Sequence, residues 1–146
     1  MNPQELANAC SEHMHAHDRC AQMLGMDVIE SAPGCARLSM TVRDDMVNGH
    51  TICHGGIMFT LADTAFAHAC NNTNNLTVAS AGSIEFIATA YPGDVLIADA
   101  HERSRGGRVG VYDVEVTRQS DQKLLAVFRG MSYQMRHAVL KEDSND

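Results

Sequence analysis

The segment His54–Asn71, HGGIMFTLADTAFAHACN, decides how this chain is read. Almost no charge falls within it, and neither Pro nor Gly interrupts it after Gly56. Its apolar residues (Ile57, Met58, Phe59, Leu61, Ala62, Ala65, Phe66, Ala67, Ala69, Cys70) occupy every side of a 3.6-residue wheel. That pattern predicts a helix wrapped by other structure, not one lying on a surface. At about 1.5 Å per residue such a helix spans roughly 25 Å. It carries one carboxylate, Asp63, on its second turn. A buried charge without a partner costs several kcal/mol, so Asp63 must be paired, hydrated or functional.

Elements on both sides supply the wrapping. Upstream, Pro3–Leu24 reads as a helix with Pro3 in its first turn and Gly25 as a stop. Residues 26–31 form a short strand candidate. In 35–42, Ala36, Leu38, Met40 and Val42 alternate with Arg37, Ser39 and Thr41, the period of a half-buried strand. Asn48-Gly49-His50 is a turn signal ahead of the long helix, and the Asn-rich stretch 71–75 ends it. Downstream the chain is extended over 77–90, 95–101, 107–117 and 124–135. The breaks fall at Tyr91-Pro92-Gly93-Asp94, at a Gly-containing turn over 103–108, and near Asp121. Three long strands joined by short connections read as an antiparallel meander. The order predicts an α+β domain in which five or six mainly antiparallel strands curl around one central helix. One domain is expected, with a core over about 26–135, an N-terminal helix over 1–25 and a polar, frayed tail over 136–146. A single sheet around one helix leaves flanks and an edge exposed, which favours association.

Composition narrows the function classes. With 45% hydrophobic and 20% charged residues the chain fits a globular domain. Its formal charge of −7 argues against nucleic acid as the main partner. No basic and apolar leader opens it, and Asp63 and His68 interrupt its most apolar window, so neither export nor a membrane span is expected and the location expected is cytoplasmic. Five cysteines, Cys10, Cys20, Cys35, Cys53 and Cys70, show no metal-type pairing and read as free thiols. His13, His15 and His17 suggest a metal cluster at first sight, but on a helix only His13 and His17 share a face. No metal and no cofactor are expected.

Three features point to chemistry. Gly55 and Gly56 open the helix and leave unpaired backbone N–H groups that nothing shields, a place for a carbonyl oxygen or oxyanion. Asp63 in the helix body can activate water or attack an acyl carbon. Asn48 and His54 on the loop before the helix offer groups that orient water or substrate. Each also has a structural alternative: a tight turn for the glycines, a paired interface role for Asp63, capping for Asn48 and His54. Gly55 and Asp63 are eight residues apart, about 12 Å along a helix, so one carbonyl cannot reach both in one chain. Two antiparallel helices across a two-fold axis would bring Gly55 of one subunit to Asp63 of the other. Arg103, Arg105 and Arg108 form the one local basic concentration, either a solvated hairpin tip or an anchor for substrate phosphates. The Cys53-His54 pair lacks the geometry of a cysteine nucleophile, because neighbours in sequence rarely form an oriented pair.

Asn48-Gly49-His50, His54-Gly55-Gly56 and Phe59-x-Leu61-Ala62-Asp63-x-Ala65-Phe66-Ala67, with Phe86 ahead of Pro92-Gly93-Asp94, closely resemble the phenylacetic acid degradation (PaaI-type) thioesterases of the hotdog superfamily. The resemblance implies a hotdog fold, with the curved antiparallel sheet around the long helix, and a homotetramer built as a dimer of dimers. It implies hydrolysis of phenylacetyl-CoA or ring-hydroxylated phenylacetyl-CoA to coenzyme A and free acid. Asp63 then matches the catalytic carboxylate, nucleophile or general base. The Gly55 amide polarises the thioester carbonyl, His54 positions the thioester and Asn48 orients the attacking group. The nearest alternative is a hotdog thioesterase for fatty, benzoyl or menaquinone-precursor CoA esters; the more distant one is a non-catalytic acyl-CoA-binding protein.

Overall fold

The computed structural model describes residues 1–141. Helix α1 (Pro3–His17) and a short α2 (Arg19–Met23) precede strands β1 (Asp27–Ala32) and β2 (Cys35–Thr41). A single 3₁₀ turn (Asp44–Met46) leads to the central helix α3 (Gly55–Asn71). Strands β3 (Thr77–Phe86), β4 (Val95–Gly106), β5 (Val109–Arg118) and β6 (Leu124–Gln134) complete the chain. All strands join one six-stranded antiparallel sheet in the order β1-β2-β4-β5-β6-β3, and α3 lies across its inner face. This is the hotdog arrangement.

The sheet makes room for the helix with small residues. Ala36, Ala98, Ala100 and Ala126 are 0–1% exposed on the inner face. A methyl group at Gly130 would sit 2.8 Å from the Phe66 ring, so the absence of a side chain on β6 seats the largest side chain of α3. Phe66 also meets Tyr112 and Phe128, with ring centroids 5.5 and 5.7 Å apart. At the C-terminal end of α3, Asn72 is 0% exposed and fully engaged. Its amide donates to Ser31 Oγ (3.1 Å), Ala32 O (2.8 Å) and Cys35 O (2.9 Å), and its carbonyl accepts from Gly34 N (3.1 Å). One side chain thus ties the β1–β2 hairpin to the helix end.

Four readings of the sequence change. The N-terminal helix is not continuous to Leu24: Asp18 breaks it and caps α2, its carboxylate accepting from Ala21 N at 2.9 Å. Asp competes with the backbone inside a helix and gains most at a cap. The three-stranded meander is β4, β5 and β6, but the strand before the Tyr91–Asp94 turn is shorter than 77–90 and is not beside β4: residues after Phe86 cross the sheet and leave β3 at its far end beside β6. Arg103 and Arg105 are strand residues of β4, and the turn shrinks to residues 107–108. The tail is tied down over part of its length. Leu76 N donates to His137 O (2.8 Å) and Leu140 N to Asn74 Oδ1 (2.8 Å), while the fraying expected over 142–146 lies outside the described residues.

The two ends of the sheet differ. At β1, Gln4 of α1 reaches the strand backbone, donating from Nε2 to Ser31 O (2.5 Å). At β3, eight of ten residues are exposed, Val78 and Phe86 among them at 45% and 55%. Nothing within the described residues pairs with the outer side of β3.

Candidate active site

His54 closes the N-terminus of α3 with its own ring: Nδ1 accepts from Gly56 N at 3.1 Å. Ile57 N and Met58 N donate to His54 O, which begins the helical ladder. The Gly55 amide is left over, donating to no acceptor among the described residues. It opens instead into a cavity of about 260 Å³ lined by Asn48, Gly55, Met58 and Phe86, and by the 87–90 segment. A methyl group on Gly55 would come within 3.0 Å of Phe86 Cζ, so a side chain here would crowd the ring that walls the cavity.

Asn48 reaches this cavity while holding its own loop. Its Oδ1 accepts from His50 N (2.9 Å) and Ile52 N (3.5 Å), and its backbone N–H donates to Ile52 O (2.9 Å). The Asn-Gly-His turn is a side-chain-stabilised Asx turn. His54 is exposed and faces the other way, lining a separate hollow with Asp45, Met46, Val47, Gly56 and Ile57. Within one protomer the structure therefore brings Asn48 to Gly55 but turns the His54 ring aside.

Asp63 lies two turns further along, in neither cavity. It is half-buried, and among the described residues it accepts no hydrogen bond and makes no ion pair. Burial, and secondarily the negative Asp18, push its carboxyl above the ordinary carboxylate range. Gly56, Thr60, Asp63 and Ala67, spaced by three and four, form the stripe of α3 that the sheet leaves at least partly open. The expectation of a helix covered on all sides is corrected here: one stripe remains uncovered, and it carries the lone carboxylate.

The three arginines are engaged. Arg103 Nε lies 3.4 Å from Asp113 Oδ2, Arg105 donates to Gln134 Oε1, and Arg108 Nη1 donates to Gln134 O at 2.9 Å. Arg108 shares a hollow with Tyr133, Met135, Arg136 and His137. The last two basic residues were not anticipated as neighbours, because they come from the far end of the chain. Also missed were the cavity walls Ile87–Ala90, which arrive only through the cross-sheet connection after β3. Burial pushes the Cys53 thiol up to about 11, the opposite of an activated nucleophile. His13 and His17 share a face, with rings 4.5 Å apart. Among the described residues no group of three His, Cys, Asp or Glu is placed to hold a metal, and no helix is long and apolar enough to cross a membrane.

Comparison with known proteins bears on this geometry. Residues 50–125 match the family model described as "Thioesterase superfamily". The acyl-coenzyme A thioesterase PaaI of Escherichia coli is 46% identical over 88% of this chain and 91% of its own. The solved E. coli PaaI protein from the phenylacetic acid degradation operon superposes with a TM-score of 0.91 at 43% identity, covering 94% of this chain and 99% of that one. A Streptococcus mutans protein solved with bound acetyl-CoA aligns at a TM-score of 0.73 and 25% identity, over 77% of this chain and 90% of that one. With the family model covering more than half of the sequence and the fold shared along nearly its whole length, the chain belongs to the thioesterase superfamily and is a hotdog-fold thiolester hydrolase related to the bacterial PaaI enzymes.

Proposed function

We propose that this protein hydrolyses acyl-CoA thioesters, with phenylacetyl-CoA or a ring-hydroxylated phenylacetyl-CoA as the preferred substrate, and that its active site is shared between two subunits. The observation that carries the reading is that, among the described residues, α3 leaves two groups unpaired, the Gly55 amide at its mouth and the Asp63 carboxylate on its uncovered stripe. The substrate class follows the names of the E. coli relatives.

The thioester carbonyl oxygen accepts from Gly55 N–H, where the helix dipole adds positive potential. Asp63 of the neighbouring subunit attacks the carbonyl carbon or takes a proton from a water that does. Its raised basicity favours either role over that of an inert surface carboxylate. The negative charge that collects on oxygen is held by the amide, and the thiolate then departs. Asn48 orients the attacking group, and His54 holds the helix mouth in shape while positioning the thioester. Arg103, Arg105 and Arg108 anchor the coenzyme A phosphates, exchanging their present partners for the stronger charge. Dimerisation is supported by the unpaired outer side of β3 and by the Gly56-Thr60-Asp63-Ala67 stripe, whose small residues let a second helix come close. A tetramer of two such dimers is the assembly we infer.

A panel of aryl and alkyl acyl-CoA esters, assayed by release of free thiol with Asp63→Asn as control, tests the reading. Hydrolysis favouring arylacetyl esters and abolished in the variant is expected. Release of thiol undiminished in Asp63→Asn would remove the carboxylate from the mechanism.

A further inference from the structure

Arg118, at the end of β5, is more enclosed than the other arginines that make ion pairs, with its side chain 14% exposed. Its guanidinium is fully engaged on three sides: Nε donates to Asp94 Oδ2 (3.0 Å), Nη1 to Asp121 Oδ2 (2.9 Å) and Nη2 to Thr89 O (2.6 Å). Asp94 Oδ2 is itself shared with Tyr91 N (2.9 Å). Two of these bonds grip the connection between β3 and β4, the segment whose Ile87–Ala90 portion walls the cavity at Gly55. The next residue after Thr89 passes the restraint on: Ala90 O accepts from Cys53 N at 2.9 Å. His54 N in turn donates to Met46 O (2.8 Å), so the two residues that lead into α3 are both pinned.

We propose that Arg118 is a positioning residue for the thioesterase reaction, setting the place of the Gly55 amide through Thr89, Ala90 and Cys53. The inference rests on the reading of Gly55 as the oxyanion donor. Arg118 does not itself line the Gly55 cavity and meets it only at a backbone carbonyl of its wall, Thr89 O. It acts through the backbone: the planar fork holds a carbonyl and two carboxylates at fixed angles, which a lysine, a point charge with freely rotating donors, cannot reproduce. An oxyanion donor displaced by a fraction of an ångström loses transition-state stabilisation while ground-state binding, spread over the whole coenzyme A, hardly changes.

The experiment compares kcat and KM for wild type, Arg118→Met, Arg118→Lys and Asp94→Asn on whichever acyl-CoA ester the wild type hydrolyses best, beside binding of coenzyme A by calorimetry. Arg129→Met serves as control, since it removes another bidentate pair (2.7 and 2.9 Å to Asp113) on an exposed side chain away from the Gly55 cavity. We expect Arg118→Met to lower kcat about 10- to 100-fold with KM and coenzyme A affinity within about threefold. Arg118→Lys and Asp94→Asn should fall between it and wild type, and Arg129→Met should stay within about twofold of wild type. A folded Arg118→Met with wild-type kcat overturns the proposal, as does a loss that appears equally in KM and coenzyme A binding. Should Arg118→Met not fold, Arg118→Lys and Asp94→Asn decide: wild-type kcat in both overturns it, and reduced kcat at unchanged KM supports it. If the wild type hydrolyses no thioester, the enzymatic reading itself fails, an outcome distinct from any of these.

Discussion

The two ends of the central helix are built to opposite rules. At its C-terminal end the two asparagine side chains are matched. Asn71 donates from Nδ2 to Ala67 O (2.8 Å) and Thr77 O (3.0 Å), accepts from Thr77 N (2.8 Å), and sits beside the saturated Asn72. At its N-terminal end, among the described residues, the Gly55 amide has no acceptor, and two turns in Asp63 has no partner. Hydrogen bonds made in the fold stabilise it; donors and acceptors left over are available to a substrate. The contrast separates residues that hold the helix from residues that work on it, and it can be broken by experiment.

The largest effect is expected at Asp63. Asp63→Asn should lower kcat by about 10³-fold or more while the thermal midpoint stays level or rises, because an unpaired half-buried carboxylate contributes nothing to folding. A fall in stability matching the fall in turnover would erase the distinction between the ends. Asn72→Ala is the mirror experiment. It strands one buried N–H and takes a donor from two carbonyls and from the Ser31 hydroxyl, which keeps Ser11 Oγ and Ala7 O, and about 3 kcal/mol of unfolding free energy should be lost in urea titrations, with kcat in the folded fraction within about threefold of wild type. Gly55→Ala comes next. The added methyl meets a ring that is 55% exposed and free to swing, so stability should change little while kcat drops about tenfold from crowding at the amide.

The smallest effect concerns pH. His68, on the matched half of α3, is the exception to its rule: it is 1% exposed and both ring nitrogens lack partners among the described residues. Burial, helped by His15 and opposed by Asp18, pushes its pKa down to about 4. The unfolded chain takes up a proton near pH 6.5 that the folded chain refuses until about 4, so stability is fully present above about 6.5 and falls as pH drops through that window. Asp63, with its raised pKa, works in the opposite direction at lower pH. Between pH 7.5 and 5 the loss from His68 should be on the order of 1–2 kcal/mol. His68→Leu should flatten that slope in thermal melts; an unchanged slope would place its origin elsewhere.

Much of this was legible in the chain. The long apolar run with its two opening glycines marks α3, and the alternation from Ala36 to Val42 marks a strand whose inward residues are all 0–1% exposed. Such periodicities survive because the core imposes them. Topology was less visible: no local signal says that the chain after Phe86 crosses the sheet instead of turning back, and so β3 and the cavity wall at 87–90 went unplaced. The polar run Arg103–Arg105 read as part of a turn because it extends β4 past the core, where pairing with β5 continues through a bulge and hydrophobic alternation has no purpose. At the candidate site, Asn48, Gly55 and Asp63 could be named from spacing. For His54 the sequence left capping and substrate positioning both open, and the choice of capping depends on one rotamer.

Phe66 seated over Gly130 has a consequence for the chemistry at a distance. A helix held by a bulky ring in a notch cannot roll on its sheet, and a roll of one residue is about 100°. That much rotation would swing the carboxylate from the open side into the barrel wall. The notch therefore works as a detent that keeps the Asp63 oxygen atoms on the uncovered side of the helix.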